Sequence, residues 1–293
     1  MNSLTGQAAV DVLIKLLDLD ELGDDRFVGV SHPDGARRLF GGQVAAQALA
    51  AAGRTVDQRR MVNSLHGYFV RPGDPRQPIT FVVERVRDGH SFSVRQCVAI
   101  QNDKSIFVMS ASFHQPADGL EHQAQTPALD TIPGPEGLIS MLDRLAEYPE
   151  RLAMLGDAPR PVDVRYVGEP GWVRPGGRRA QPNQRVWLRI DGKLPEAPLL
   201  HACALTFASD LSLLDTVLAF HGEVFGPGGY GGASLDHALW IHRPFRADEW
   251  LLYDCWSPSA ADARGLAIGR LFDRDGRHVA SAVQEGTLRR MGD

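Results

Sequence analysis

Apolar residues recur along this chain with two different periods, and the order of the two predicts its elements. Between residues 7 and 19, Val10, Leu13, Ile14, Leu16 and Leu17 fall at helical spacing and predict a short amphipathic helix. Phe27-Val28-Gly29-Val30 reads as a strand, closed by the turn-rich His32-Pro33-Asp34-Gly35. From Gly42 to Val56 the chain is rich in Ala and free of Pro, which predicts a helix small-sided enough to sit close to a sheet. Four stretches of β character follow at 62–70, 78–86, 91–100 and 105–114. They are separated by Arg71-Pro72-Gly73-Asp74, Asp88-Gly89 and Asn102-Asp103, breaks too short for the crossovers of a parallel sheet. An antiparallel meander is expected.

Residues 115–135 are polar and contain Pro, as a linker would. Leu138, Met141, Leu142, Leu145, Leu152 and Leu155 then predict one or two helices across 136–155, interrupted near Pro149. Residues 168–183 carry Gly, Pro and Arg in bulk and read as a loop. After Val162-Val164-Tyr166 and Val186-Leu188-Ile190, both strand-like, the plan of the first half returns. A long apolar helix is predicted over 198–220, and β stretches over 234–243, 249–257, 264–272 and 277–288.

The repetition extends to residues. Ser64-Leu-His-Gly-Tyr-Phe-Val-Arg-Pro72 matches Leu235-Asp-His-Ala-Leu-Trp-Ile-His-Arg-Pro244, and Ile106-Phe-Val-Met-Ser-Ala-Ser112 matches His278-Val-Ala-Ser-Ala282. The shared Arg-Pro and Val-x-Ser-Ala runs lie 172 and 171 positions apart, so two independent strings agree on one offset. That implies an internal duplication. Each half is then a long helix on an antiparallel sheet, an α+β fold. The expected boundaries are 1–116 and 161–293 for the two halves, with 117–160 as a linker bearing helix.

Composition narrows the partners. A net charge of -5 over 293 residues argues against nucleic acid, though not against a local basic pocket. Lys occurs only at 15, 104 and 193, so nearly all positive charge is Arg. Cys97, Cys203 and Cys255 are widely spaced and odd in number, which fits neither a disulfide framework nor a zinc site and suits a reducing compartment. Asp11 and Lys15 interrupt the first apolar stretch, Met291-Gly292-Asp293 is no peroxisomal address, and no run is long enough to span a membrane. A cytoplasmic protein without stable membrane association is expected.

Several familiar patterns fail on context. Gly226-Pro-Gly228-Gly-Tyr-Gly231 satisfies GxGxxG but follows a helix and precedes a strand, the reverse of a dinucleotide site. Gly232-Ala-Ser-Leu-Asp236 lacks the second Gly of a nucleophile elbow. Neither HExxH, Walker A nor paired Cys occurs, and metal dependence is not expected.

Three polar residues stand out for their surroundings. Asp210 borders the apolar stripe of the 198–220 helix, formed by Leu200, Cys203, Ala204, Phe207, Leu211, Leu214 and Leu218. A carboxylate there must find partners or have its pKa raised by desolvation, and either suits a general base. A plain helix cap at Ser209 or Asp210 explains the same pattern equally well. Gln284 lies in the last predicted strand beside the small Ala280 and Ala282, with room to reach into a cavity or, alternatively, facing solvent. Ser234 starts a strand, where a turn residue is common. Spacing alone does not bring the three together.

The chain resembles the type II acyl-coenzyme A thioesterases, the double-hotdog family, from Leu13 to about Arg289. The resemblance is carried by Phe40-Gly-Gly-Gln-Val-Ala-Ala-Gln-Ala-Leu49, His66-Gly-Tyr-Phe-Val-Arg-Pro-Gly-Asp74 and Arg87-Asp-Gly-His-Ser-Phe-Ser-Val-Arg95. Ala208-Ser-Asp-Leu211, Leu235-Asp-His-Ala-Leu-Trp-Ile-His-Arg-Pro-Phe245 and Val283-Gln-Glu-Gly286 add to it in the second half. It implies two hotdog repeats joined edge to edge, each a curved antiparallel sheet around its helix. It implies an acyl-CoA substrate, no cofactor, a homo-oligomer, and a site that places Asp210, Ser234 and Gln284 as general base and water-orienting groups. Relatives often carry Thr where this chain has Ser234, which keeps the hydroxyl, and His where it has Asn63. Two other functions fit the fold: an acyl-CoA hydratase, which would set a His close to the Asp although 205–220 contain none, and a non-catalytic acyl-CoA sensor, which would be expected to lose the Asp.

Overall fold

The structure, a computed structural model, describes residues 3–31, 38–123, 125–154, 156–170, 183–226 and 228–292. The turn expected at 32–35 and most of the loop expected at 168–183 lie outside them.

The first half comprises α1 (Gly6–Leu17), β1 (Asp20–Gly23), β2 (Arg26–Gly29), α2 (Gly41–Arg54), β3 (Met61–Phe69), β4 (Ile79–Asp88), β5 (Phe92–Gln101) and β6 (Lys104–His114). Short helices α3 (Met141–Leu145) and α4 (Pro149–Met154) follow, so Pro149 opens the second helix rather than breaking a continuous one. The second half comprises β7 (Val162–Tyr166), β8 (Asn183–Ile190), α5 (Pro198–Ser209), α6 (Asp215–His221), β9 (Tyr230–Ser234), β10 (Asp236–Ile241), β11 (Leu251–Ala261), β12 (Arg264–Phe272) and β13 (His278–Arg290).

All of these strands join one antiparallel sheet in the order β1-β2-β4-β5-β6-β3-β10-β13-β12-β11-β8-β7, with β9 also on β13. Read outward from the centre, the two halves list corresponding strands. β3 meets β10 at the junction, where Leu65 lies opposite Leu239. Tight turns at Asp24-Asp25, Asn102-Asp103 and Asp262-Ala263, all at positive φ, match the right-handed twist of their hairpins.

The helices α2 and α5 lie buried against the sheet and each other. Ala45, Ala46, Ala48, Ala51 and Ala52 on α2 are sealed from solvent, and their small side chains let α5 approach. Gly42 and Gly53 mark the closest contacts: a Cβ on either would stand 2.6 Å from the Phe207 carbonyl oxygen or 2.5 Å from Leu199. The three cysteines are buried and unpaired. Among the described residues no helix is long and apolar enough to cross a membrane.

The single helix expected over 198–220 is corrected to two. α5 ends with Asp210 as its C-cap, and α6 begins after a turn through Leu214. The apolar spacing hid this break because leucines continue through it. Leu211, which an unbroken stripe would bury, is 37% exposed, whereas Leu213 is fully buried. β1 and β9 were not expected either; Tyr230-Gly-Gly-Ala-Ser234 has two glycines and no apolar alternation.

Candidate active site

The break after α5 leaves Asp210 at a helix terminus, partly accessible rather than fixed inside a stripe. The last turn of α5 is pinned from several sides. The Ser209 hydroxyl donates to the Thr206 carbonyl at 3.2 Å and lies 2.9 Å from Nε2 of the buried His237, while the Tyr253 hydroxyl donates to the Ser209 carbonyl at 3.3 Å. Because Ser209 spends its proton on Thr206, His237 is the donor to it through Nε2–H. Burial pushes the His237 pKa down to about 4, so the ring is neutral near pH 7 and acts as a strut.

Gln284 is fully buried on β13, on the face turned toward the helices. Its Nε2 donates to Asp210 Oδ1 in a very short contact and to Ser234 Oγ at 2.9 Å. Both amide protons are therefore committed, and one side chain ties together the residues from α5, β9 and β13. The strand register makes this possible, since Ser234 pairs with Gly286, two residues beyond Gln284. Asp236 anchors the same corner by accepting from the Glu285 N–H at 2.7 Å. The structure thus brings together Asp210, Ser234 and Gln284, which sequence spacing could not.

The fourth element comes from the other half. The N-terminus of α2 abuts Asp210, and the Gly42 N–H hydrogen-bonds to its carboxylate. A Cβ on Gly41 would lie 2.9 Å from Asp210 Oδ2 and 2.9 Å from the Phe69 ring. Helix N-termini leave several N–H groups without helical partners and favour negative charge. Sequence reasoning did not single out these donors; the Phe40-Gly-Gly-Gln43 string was their only trace. Apolar walls complete the surroundings. Phe40 meets Phe207 edge-on with ring centroids 4.9 Å apart, Phe69 packs on Phe107 at 4.9 Å, and Leu214 lies over Gly286.

The electrostatic balance of the site is legible in Asp210. Burial raises its pKa to about 6, while the hydrogen bonds from Gln284 and Gly42 pull the other way. At neutral pH it is ionised yet basic enough to take a proton. Among the described residues no group of three His, Cys, Asp or Glu side chains is placed to hold a metal ion.

Two helix-wrapped antiparallel halves joined at β3–β10 define a double-hotdog fold, and a carboxylate, a hydroxyl and an amide converge beside a helix N-terminus to form its candidate site. The comparisons with known proteins agree with this description. Residues 160–287 match the model of the acyl-CoA thioesterase family, and residues 30–114 match that of the acyl-CoA thioesterase N-terminal domain. Acyl-coenzyme A thioesterase 8 of Homo sapiens is 38% identical, the alignment covering 94% of this chain and 88% of that one. Acyl-CoA thioesterase 2 of Haemophilus influenzae is 37% identical over 94% of this chain and 96% of its own. The crystal structure of the acyl-CoA thioesterase II TesB2 from Mycobacterium marinum superposes with a TM-score of 0.76 at 40% identity, covering 96% and 98% of the two chains. A hot dog fold protein from Alicyclobacillus acidocaldarius, only 16% identical, shares the fold at a TM-score of 0.76. The chain belongs to the type II acyl-CoA thioesterase family, a family of thioester hydrolases.

Proposed function

We propose that this chain hydrolyses fatty acyl-CoA to free acid and CoA, with Asp210 as general base and Ser234 and Gln284 as its supports. The observation that carries this reading is the Gln284 amide bridging Asp210 and Ser234 at a helix N-terminus. Gln284 fixes Asp210 Oδ1, which leaves Oδ2 to accept a proton from water. Ser234 Oγ accepts from Gln284, so its own O–H and remaining lone pair are available to hold that water in line. The water oxygen attacks the thioester carbonyl carbon as its proton passes to Asp210 Oδ2. The developing oxyanion is met by the N–H groups of Gly41 and Gln43 in the first turn of α2, that of Gly42 being spent on Asp210. Collapse of the tetrahedral intermediate expels the CoA thiolate. A thiol of ordinary pKa near 8.5 is more basic than a carboxyl near 6, so Asp210 can return its proton to the leaving sulfur. The cycle balances without a cofactor.

Positioned general-base help is worth about 10²–10⁴-fold. The deciding measurement is free-thiol release from acyl-CoA substrates of graded chain length by wild type and Asp210→Asn. Wild type should turn over while Asp210→Asn falls by at least about 100-fold in kcat. Near wild-type turnover by the variant would sink the assignment. The two alternatives are judged by the same material: a hydroxyacyl product from enoyl-CoA would indicate a hydratase, and tight binding without turnover a sensor. Asp210 hydrogen-bonds to an amide and a backbone N–H, with no imidazole among its partners, which favours the hydrolase.

A further inference from the structure

We propose that the phosphate-bearing nucleotide end of the acyl-CoA lies in a groove of about 410 Å³ beside β9, held by Arg38, Arg289 and Arg290. This rests on reading the adjacent Asp210 site as the thioesterase centre. The groove is lined by the three arginines together with Gly231, Gly232 and Thr287, and among the described residues no acidic side chain lines it.

Charge singles it out. The chain as a whole is negative, and its other arginines are largely engaged: Arg246 with Asp248, Arg185 and Arg270 with Asp254, Arg165 with Asp163. Arg38, Arg289 and Arg290 are exposed, and none makes an ion pair or side-chain hydrogen bond among the described residues. Three unneutralised guanidinium groups around one concavity repel one another and attract a multiply charged anion. Planar guanidinium forks suit phosphate oxygens in particular.

Backbone shape adds to the case. β9 pairs with β13, and although Phe225 bridges its other edge at Tyr230, no strand among the described residues pairs that edge from Gly231 to Ser234. Gly231 and Gly232 keep that edge bare; a Cβ on Gly232 would stand 2.2 Å from the Thr287 carbonyl oxygen, so the strand cannot carry a larger residue there.

The position relative to the chemistry is right. The groove starts at Ala233, next to Ser234, and continues past Gly231, about 10 Å further along an extended strand. The pantetheine arm of CoA, with two amide links, has a reach comparable to about four extended residues at about 3.5 Å each. A thioester held at Asp210 and Ser234 therefore places its pyrophosphate and ribose phosphate among the three arginines.

The test compares one acyl group carried on CoA and on pantetheine, which lacks the phosphates, in wild type, Arg38→Ala and Arg289→Ala/Arg290→Ala. Exposed charge contacts are individually modest, so the double variant should lose roughly ten-fold in kcat/KM toward acyl-CoA, expressed in KM. The penalty should shrink as salt is raised and stay within about two-fold on acyl-pantetheine. Adenosine 3′,5′-bisphosphate should inhibit wild type competitively and the double variant more weakly. Equal losses on both substrates, no loss on either, or inhibition by inorganic phosphate as strong as by the bisphosphate would each overturn the proposal. Should wild type release thiol from neither substrate, the hydrolase reading fails, and calorimetric binding of CoA decides the groove by itself. Weaker binding to the double variant would then uphold it and equal binding would reject it.

Discussion

Asp210→Asn should stabilise the folded protein near neutral pH while abolishing turnover. The carboxyl has its pKa raised from 3.8 to about 6, chiefly by burial. Between those values the native state binds a proton that the unfolded chain has already released. Stability contributed by that proton is therefore present at low pH and is lost as pH rises through about 6. From the shift, the full penalty above pH 6 is about 3 kcal/mol, at about 1.36 kcal/mol per pH unit. About half of it is already in force at pH 5. Asn cannot ionise, so the variant escapes both the penalty and its pH dependence. It accepts less strongly from Gln284 and Gly42, an offset of about 1 kcal/mol that does not vary with pH over this range. The assay is thermal unfolding of both proteins from pH 5 to pH 8. The variant should melt about 3–8 °C higher at pH 8, and the gap should narrow steadily toward pH 5. A gap of constant size, or a variant that is less stable at pH 8, would refute the claim that the site holds a desolvated carboxylate at the expense of stability.

Two further substitutions probe the neighbours. Gln284→Leu removes the hydrogen bond that holds the Asp210 pKa down, so the acid limb of kcat/KM should move up from about 6 by about 1–2 pH units, given about 1.5–3 kcal/mol for a hydrogen bond to a charged group; a pH–rate profile that does not move would place Gln284 outside the base's surroundings. Gly42→Ala sets a methyl 2.6 Å from the Phe207 carbonyl, a backbone atom with little freedom to yield, and should cost about 1–3 kcal/mol in denaturant melts while raising KM; wild-type stability would mean that α2 and α5 can slide apart.

The parts of this molecule that the sequence disclosed are those governed by local pattern. β12 runs over 264–272 as alternation predicts, and α2 and the four strands of the first meander fall within a few residues of expectation. Turn residues explain why: Asn102-Asp103 adopts the positive φ values of a tight hairpin, a preference written in the residues themselves. What pattern could not disclose was the break after Ser209, because leucines on both sides of Asp210 keep the helical period while tertiary packing ends the helix. The meeting of Asp210 with Gln284, 74 positions away, is likewise a product of sheet register and not of spacing. Gln284 illustrates the limit most clearly. By composition it reads as a surface amide, yet it is wholly buried with both amide protons engaged.

The duplication bears on why the chain assembles one such centre rather than two. The C-cap of α5 is Asp210, and the C-cap of α2 is Thr55. At the offset of 171 positions that relates the Val-x-Ser-Ala runs, Ser234 corresponds to Asn63 and Gln284 to Phe113. The first half therefore lacks the carboxylate, the hydroxyl and the amide. In their place it buries Arg95, which donates to the Thr55 hydroxyl at 2.7 Å, to the Thr55 carbonyl at 3.0 Å and to Asp88 at 2.7 Å. A guanidinium locked into five hydrogen bonds at a helix C-terminus is a favourable cap and offers no base. The two halves have diverged in what they contribute to a shared site. The second half supplies Asp210, Ser234 and Gln284, and the first supplies the glycine-opened N-terminus of α2 that abuts Asp210; on the mechanism proposed above, the former move the proton and the latter meets the oxyanion.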